Sequence, residues 1–264
     1  MTKRNFILAI LAAAFILQMA LWFNQYNEGR KMEDTQARYE ELAEINLNPI
    51  LNKPISPPPQ TPETVIPEEV ITPSEEFILK DNPDSKFLKI NPDYVGWLNI
   101  SNTKVDYPVV KGPDNAYYLD KNFDQEQDIL GSIFMDYRNM GNNLDRHTIL
   151  YGHYTQRGLI FGDLDKYLDA EFRTNNKIFT FRSLQGEVTY EIFSVHISPS
   201  VGPLLDITFT ETPYADFQQL LKSKSQVEND SFPTEDQKII SLITCNYALE
   251  DGRLFIHAME VPRP

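Results

Sequence analysis

The sequence holds one cysteine in 264 residues, Cys245, at the end of an apolar run that begins at Ile239. Eight residues later Arg253 opens a second β-prone run, and Glu250-Asp251-Gly252 before it has the composition of a turn. Two strands joined in this way would place the thiol beside a guanidinium. Because a neighbouring positive charge favours the reactive thiolate, the pattern indicates a nucleophile. The alternative is a small buried hydrophobe, which is how most free cysteines behave.

Four histidines could exchange a proton with this cysteine. His153 ends an apolar run where a loop begins, and strand ends beside loops display catalytic side chains on a rigid scaffold. His147 heads the same run and is predicted to lie at the surface, whereas His196 and His257 lie inside strands and are predicted to be structural. One cysteine and four scattered histidines lack the spacing of a metal site, so no metal is predicted. His153 is therefore the predicted partner of Cys245.

Short β-prone runs separated by turns dominate the second half of the chain and predict a mainly β fold, a sandwich or a barrel. Within one of them Val188, Tyr190 and Ile192 alternate with polar residues, as in a half-buried strand. The eight candidate strands are residues 94–100, 104–110, 131–137, 147–153, 177–181, 187–197, 239–244 and 253–261.

Three helical segments are predicted around these strands. A long helix begins at Thr212-Pro213, a hydroxyl cap followed by proline, and runs to about Gln226, directly before the cysteine strand. Shorter segments are predicted within residues 77–91 and 159–172. The cysteine strand thus follows a helix that could cover one face of the sheet.

The N-terminal stretch Phe6–Phe23 carries no charge and follows Lys3 and Arg4. This pattern predicts an uncleaved signal-anchor that spans the membrane, with residues 1–5 inside the cell and the rest outside. A cleaved signal peptide is the alternative, but no small-residue cleavage site follows the run. Residues 24–76 are predicted to be an extracellular stalk and linker. Of the 18 prolines, 8 lie in residues 46–76, which is typical of a semi-rigid spacer that gives reach from the membrane.

Residues 77–264 are long enough for one domain with a substantial core. The net charge of −14 divides into +3 for residues 1–31, −8 for residues 32–76 and −9 for this domain. An acidic domain without a basic cluster argues against a nucleic acid partner. The single cysteine allows no internal disulfide, and no cofactor is predicted.

The segments around the histidine, the cysteine and the arginine resemble the sortase signature. A Tyr-Gly-His turn, a Thr-Cys strand end and an arginine on the next strand follow one another in the order and spacing of that family. The matching segments are Leu150-Tyr-Gly-His153, Phe161-Gly-Asp-Leu164, Leu242-Ile-Thr-Cys245 and Gly252-Arg253.

Other segments resemble class B sortases in particular, and the resemblance covers residues 77–262. One departure is Ser241, where the family pattern often has threonine. The class B segments are Val105–Val110, Asn115–Leu119, Gly131–Asn139 and the long helix before the cysteine strand.

The resemblance implies an eight-stranded sortase β-barrel that is anchored on the outer face of a Gram-positive-type cell. It implies that Cys245 cleaves the sorting signal after a threonine and forms a thioester with it, and that His153 is the general acid and base. Arg253 is implied to stabilise the oxyanion or to fix the substrate backbone. Thr244, Tyr154 and Asn246, which flank the histidine and the cysteine, are the candidates for substrate binding. No calcium site is expected.

The partners implied are the sorting-signal peptides of surface proteins or pilins, together with an amine acceptor on peptidoglycan or on a pilin lysine. Two alternatives stay open from the sequence. The first is an extracellular cysteine protease that releases the same acyl-enzyme to water. The second is a non-enzymatic β-barrel adhesion module on a stalk, in which Cys245 is part of the core.

Overall fold

Eight strands form a closed barrel in the computed structural model, which describes residues 3–51, 82–199, 202–210, 213–227, 231–245 and 252–262. The strands are β1 (Tyr94–Asn99), β2 (Asp106–Val110), β3 (Ile133–Met135), β4 (His147–Tyr151), β5 (Ile178–Ser183), β6 (Gly186–Pro199), β7 (Ile239–Cys245) and β8 (Gly252–Glu260). Their order around the barrel is β1-β2-β3-β4-β7-β8-β6-β5. The predicted mainly β, eight-stranded barrel is therefore confirmed.

Four α-helices and two 3-10 helices surround the strands among the described residues. The predicted long helix is α4, and Thr212, its predicted cap, lies outside the described residues. The helices are α1 (Lys3–Leu51), α2 (Ser85–Ile90), α3 (Ala170–Asn175) and α4 (Tyr214–Lys224), with 3-10 helices at Gly162–Leu168 and Gly202–Leu205.

Helix α4 covers the outer face of β4, β6, β7 and β8. Inward side chains such as Ile256 join the main core, whereas Phe255 and Ile243 point outward and pack with Phe217 and Leu221 of α4 in a second apolar cluster. Because successive side chains of a strand point to opposite faces, a strand covered on both sides must be apolar throughout. This explains the continuous apolar run at the cysteine strand.

The second half of α1 packs on the barrel. Tyr39 and Leu42 are 4% and 0% exposed, and both belong to the main core. The Tyr39 hydroxyl donates to the Gly131 carbonyl at 3.1 Å, and Arg38 forms an ion pair with Asp124 at 2.8 Å. This part of the predicted stalk is therefore built into the folded unit. The chain divisions at residues 5, 23 and 76 stay predictions.

The first half of α1 projects from the barrel with exposed apolar side chains. Phe15, Trp22 and Tyr26 are each at least half exposed, and the rings of Trp22 and Tyr26 stack with centroids 5.7 Å apart. Among the helices of the described residues, none is long and apolar enough to cross a membrane. The membrane-spanning role of residues 6–23 stays a prediction.

The C-terminal end of α1 meets the start of α2 on the barrel wall. Arg182 of β5 donates hydrogen bonds to Asn46 and also forms a 2.9 Å ion pair with Asp84. Lys86 of α2 donates to the Ile45 carbonyl at 2.6 Å. The proline-rich residues between these helices, 52–81, lie outside the described residues, but their two flanks lie side by side.

Candidate active site

Strand register brings the three predicted catalytic residues to one end of the barrel. Strand β4 pairs in parallel with β7 so that Tyr151 lies opposite Ile243, and β7 pairs with β8 so that Cys245 lies opposite Arg253. His153 lies two residues after Tyr151, just past the end of β4, and Cys245 lies two residues after Ile243, at the end of β7. Since parallel neighbours keep a constant offset, this spacing puts His153 about level with Cys245. The histidine, the cysteine and Arg253, near the start of β8, thus lie at the same end of three adjacent strands.

A groove with a volume of about 290 Å³ lies at this end of the barrel. Its walls are mainly apolar and carry a few polar groups, which is the usual composition of a ligand site. It is lined by Asn115, Leu119, Phe134, Tyr151, Gly152, His153, Leu205, Ile243, Thr244 and Arg253. Two of the predicted catalytic side chains, His153 and Arg253, therefore face the same cavity.

A backbone carbonyl fixes the ring of His153. The Nε2 atom lies 2.6 Å from the Leu119 oxygen, and since a carbonyl can only accept, Nε2 carries a hydrogen. In the neutral ring Nδ1 is then the base. Gly131 leaves room for this carbonyl. It has φ +59°, and an added Cβ would lie 2.5 Å from the Leu119 oxygen. Nothing in the sequence near His153 indicated this contact.

Gly152, next to the histidine, is required for space. It does not have a positive φ, and an added Cβ would lie 2.8 Å from the ring of Phe161. The amide of Phe161 in turn donates to the His153 carbonyl at 3.0 Å. Gly152 is therefore required for a close approach between this strand end and the following loop, and not for a left-handed turn.

The three candidate substrate-binding residues differ in where they lie relative to the groove. Thr244 lines the groove and is 2% exposed, and its Oγ1 has no hydrogen-bond partner among the described residues. Tyr154 is half-buried with its hydroxyl 3.3 Å from an Asp165 carboxylate oxygen, and it is not among the described residues that line the groove. Asn246 lies outside the described residues. Roles for all three stay predictions.

Arg253 is half-buried at the groove, and its Nη1 donates to the Gly252 carbonyl at 3.2 Å. Within the described parts of the chain, no group of three or more histidine, cysteine or acidic residues is arranged to hold a metal ion. What the arrangement offers is a nucleophile position, an imidazole and a permanent positive charge at one cavity. This combination suits acyl transfer through a thioester.

Comparison with known proteins agrees with this geometry. A family model described as a sortase domain matches residues 98–261, which is more than half of the chain. The chain belongs to the sortase family. Sortases are cysteine transpeptidases that cleave sorting signals and transfer them to cell-wall components.

The relatives of this sortase are class B enzymes, as the sequence resemblance implied. Sortase B of Listeria monocytogenes is 37% identical over 178 residues, which are 66% of this chain and 72% of the relative. A crystal structure of sortase B from Bacillus anthracis is 37% identical with a TM-score of 0.64, and the match covers 69% of this chain and 85% of that chain. A substrate complex of Staphylococcus aureus sortase B is 29% identical with a TM-score of 0.70, covering 87% of this sortase and 98% of that chain.

The other three histidines of this sortase lie under α4, away from the groove. His147, His196 and His257 are each 0–1% exposed. The predicted surface position of His147 is therefore wrong, because α4 and the loop before it cover the outer face of β4. The ring of His147 packs against Phe217 of α4 with centroids 4.9 Å apart.

Two of these histidines form a buried chain through Ser241, the residue that departs from the family pattern. His147 Nδ1 donates to the Asp206 carbonyl at 2.6 Å, so in the neutral ring Nε2 accepts from the Ser241 hydroxyl at 2.7 Å. The Ser241 oxygen then accepts from His257 Nδ1 at 2.6 Å. This direction requires a neutral His147 ring, because only an unprotonated Nε2 can accept from the serine.

Burial keeps all three rings neutral. It lowers the pKa of His147 and of His196 from 6.5 to about 4, and the pKa of His257 falls well below 6.5 because of burial and the two neighbouring imidazoles. His196 stacks on Phe255 with centroids 4.9 Å apart, and neither of its ring nitrogens has a hydrogen-bond partner in the part of the chain described. Protonating any of these rings therefore opposes folding.

We expect the free energy of unfolding of this sortase to fall as the pH is lowered from 7 to 5. The unfolded chain takes up protons near pH 6.5 whereas the folded histidines do not, which costs roughly 2 kcal/mol for each buried histidine over this interval. Urea denaturation at several pH values measures this loss of unfolding free energy. His196→Phe keeps the stack on Phe255 without a titratable nitrogen, so the loss between pH 7 and pH 5 should be smaller by roughly 2 kcal/mol. A pH-independent unfolding free energy in the unmodified chain would contradict the assignment.

Proposed function

We propose that this sortase cleaves a C-terminal sorting signal of surface proteins through a thioester on Cys245 and passes the acyl group to an amine. The acceptor is an amine of cell-wall peptidoglycan or of a pilin lysine. The observation that supports the proposal is the register of β4, β7 and β8, which pairs Cys245 with Arg253 at the end of the barrel where His153 and Arg253 line one groove.

The proposed reaction has two steps, acylation of the cysteine and transfer to the amine. The Cys245 thiolate attacks the main-chain carbonyl carbon of a threonine in the signal. The peptide C–N bond then breaks, and the protonated His153 gives its proton to the leaving amine. The acceptor amine then attacks the thioester and loses a proton to neutral His153 as the C–S bond breaks. The hydrogen bond from Nε2 to Leu119 leaves Nδ1 as the nitrogen for both transfers.

Two further groups support the transition state. Arg253 supplies a fixed positive charge at the groove for the oxyanion of each tetrahedral intermediate. The buried hydroxyl of Thr244, one residue before the nucleophile, has no partner within the described chain and is available to the substrate backbone. Tyr154 and Asn246, which flank the catalytic pair, complete the proposed substrate-binding set.

The location proposed is the outer face of the cell membrane, with the N-terminus inside. Support comes from the basic residues Lys3 and Arg4, the uncharged stretch after them and the exposed apolar side chains of α1 from Phe15 to Tyr26. Aromatic residues such as Trp22 and Tyr26 suit a membrane–water interface. The membrane is thus the partner proposed for the first half of α1.

The test is intact mass spectrometry of the full chain in detergent, incubated with peptides randomised around a fixed threonine. The full chain is used because α1 contributes Tyr39 and Leu42 to the core. A mass increase equal to the N-terminal part of a peptide, absent from Cys245→Ala, identifies the thioester and the recognised sequence together.

The outcomes separate the alternatives. Release of the adduct by a peptidoglycan-like amine or a lysine peptide, faster than by water, supports transpeptidation. Release at the same rate with and without amine indicates a hydrolase. If no adduct forms and iodoacetamide fails to alkylate Cys245 as well, the cysteine belongs to the core and the proposal is wrong.

A further inference from the structure

An ion pair between an exposed arginine and a buried carboxylate lies next to the groove and has no part in the chemistry proposed so far. Asp136 directly follows β3 and is 0% exposed. Arg138 donates to it through Nε and Nη2, both at 2.8 Å, in a two-pronged contact. Such paired bonds fix the relative orientation of both side chains.

Asp136 also accepts hydrogen bonds from two residues that line the groove. The Asn115 side-chain amide and the Tyr151 hydroxyl each donate to its Oδ2 at 3.0 Å. Asn115 belongs to the loop between β2 and β3, and Tyr151 ends β4, two residues before His153. One carboxylate therefore joins two separate walls.

The arginine reaches a third wall. Its Nη2 donates to the Leu205 carbonyl at 3.1 Å, and the Leu205 side chain lines the groove from the long connection between β6 and β7. The next carbonyl, that of Asp206, accepts from His147 Nδ1 at 2.6 Å. This connection is thus held at two successive carbonyls.

The cluster is fully ionised at any physiological pH. Burial alone would raise the pKa of Asp136, but hydrogen bonds from Arg138, Asn115 and Tyr151 outweigh it and lower the pKa to about 2. Burial raises the pKa of the Tyr151 hydroxyl, which therefore stays a donor. A carboxylate of this kind, satisfied on every side, is a rigid support.

We propose that Asp136 and Arg138 are positioning residues that set the shape, and hence the peptide selectivity, of the groove by holding Asn115, Tyr151 and Leu205 together. The inference rests on the proposed function for its substrate, a sorting-signal peptide. Neither residue of the pair lines the groove, so neither is placed in contact with the peptide. They act on the peptide indirectly, by holding the residues that line the groove.

The barrel provides a matched control on another wall. Arg182 of β5 contacts Asp84 through Nε at 3.0 Å and Nη2 at 2.9 Å, and Asp84 is buried like Asp136. Neither residue of this pair lines the groove. Arg182→Ala removes a similar ion pair and should lower stability in a similar way without changing the groove.

In the full chain we expect Arg138→Ala to raise KM about tenfold while kcat changes less than about threefold, because walls shift and the reacting groups remain. The probe is the peptide from the randomised pool that the unmodified chain acylates fastest. The preference for this peptide over versions with single alanine replacements, measured as a ratio of kcat/KM, should fall about tenfold. Arg182→Ala should keep both the KM and the preference.

A milder variant covers the case in which Arg138→Ala does not fold. Arg138→Lys keeps the charge, but a single amine cannot reproduce the guanidinium fork that reaches both Asp136 and the Leu205 carbonyl. We expect it to raise KM and relax the preference in the same direction, by a smaller factor. Unchanged KM and preference in Arg138→Lys and in any folded Arg138→Ala, or the same change in Arg182→Ala, would overturn the proposal.

Amide hydrogen exchange gives a readout that needs no substrate. Exchange in residues 202–206 should accelerate about tenfold in Arg138→Ala or Arg138→Lys relative to the unmodified chain and stay unchanged in Arg182→Ala. If the unmodified chain acylates no peptide, the proposed function fails, whereas the exchange result still decides whether Arg138 holds this wall. Unchanged exchange in the Arg138 variants would overturn the positioning role alone.

Discussion

His153→Ala is expected to lower kcat for peptide cleavage by about 10²–10⁴-fold, the usual contribution of a positioned general acid and base. The leaving amine would depart without a proton donor, and the acceptor amine would attack without a base. Since Leu119 holds the ring through Nε2, alanine removes a group that is already oriented. Steady-state kinetics with the recognised peptide measure the loss.

The control for this variant is His196→Phe. It also removes an imidazole from the barrel wall, but from the face under α4 and not from the groove. We expect it to keep kcat near that of the unmodified chain. A drop of less than about tenfold in His153→Ala would show that another group exchanges the proton.

Arg253→Ala is expected to lower kcat by about 10²–10³-fold, the effect typical of losing one oxyanion donor. The residue pairs with Cys245 across β7 and β8 and lines the groove, so we expect its charge to face the oxygen of the tetrahedral intermediate. Arg253→Lys should recover part of the rate, since it restores the charge without the planar fork. The measurement is kcat at a saturating concentration of peptide.

His257→Ala, on the same strand, serves as the stability control. His257 is 0% exposed and bonded to Ser241, so its loss should lower the free energy of unfolding and leave the turnover of folded protein nearly intact. Near-normal turnover in Arg253→Ala would remove the arginine from the proposed mechanism. Equal losses of turnover in both variants would point to general disruption of β8.

The parts of this sortase that could be predicted from sequence depend on local patterns. Apolar runs separated by turn residues indicate strands wherever they occur, and the eight predicted runs correspond to the eight strands. The pairing of Cys245 with Arg253 follows from one short turn region between two such runs. The aligned position of His153 depends on the parallel pairing of β4 with β7, which spacing alone does not predict.

The parts that could not be predicted depend on contacts between distant segments. His147 is buried only because α4 packs over β4, and Leu205 reaches the groove from a long connection without a recognisable motif. The docking of α1 did leave a signal. Tyr39, Leu42 and Asn46 are spaced at i, i+3 and i+7, which places them on one helix face.

One further consequence concerns the proline-rich stretch between α1 and α2. Asn46 and Asp84, on either side of it, both bind Arg182, so the two points of the chain that flank this stretch lie close together. Although such a composition is typical of spacers, a stretch whose two flanks meet adds nothing to the distance between the barrel and the start of the chain. That distance is set by α1 alone.

Between Phe23, where the uncharged stretch ends, and Thr35, which binds Asp128 of the barrel, α1 rises roughly 18 Å at about 1.5 Å per residue. With the anchor proposed above, the continuous helix α1, and not a flexible linker, holds the catalytic groove away from the membrane. The enzyme then works at one fixed height above the lipid. Its substrates and acceptors would then have to come within reach of that height, because no flexible linker between Phe23 and Thr35 lets the groove move outward.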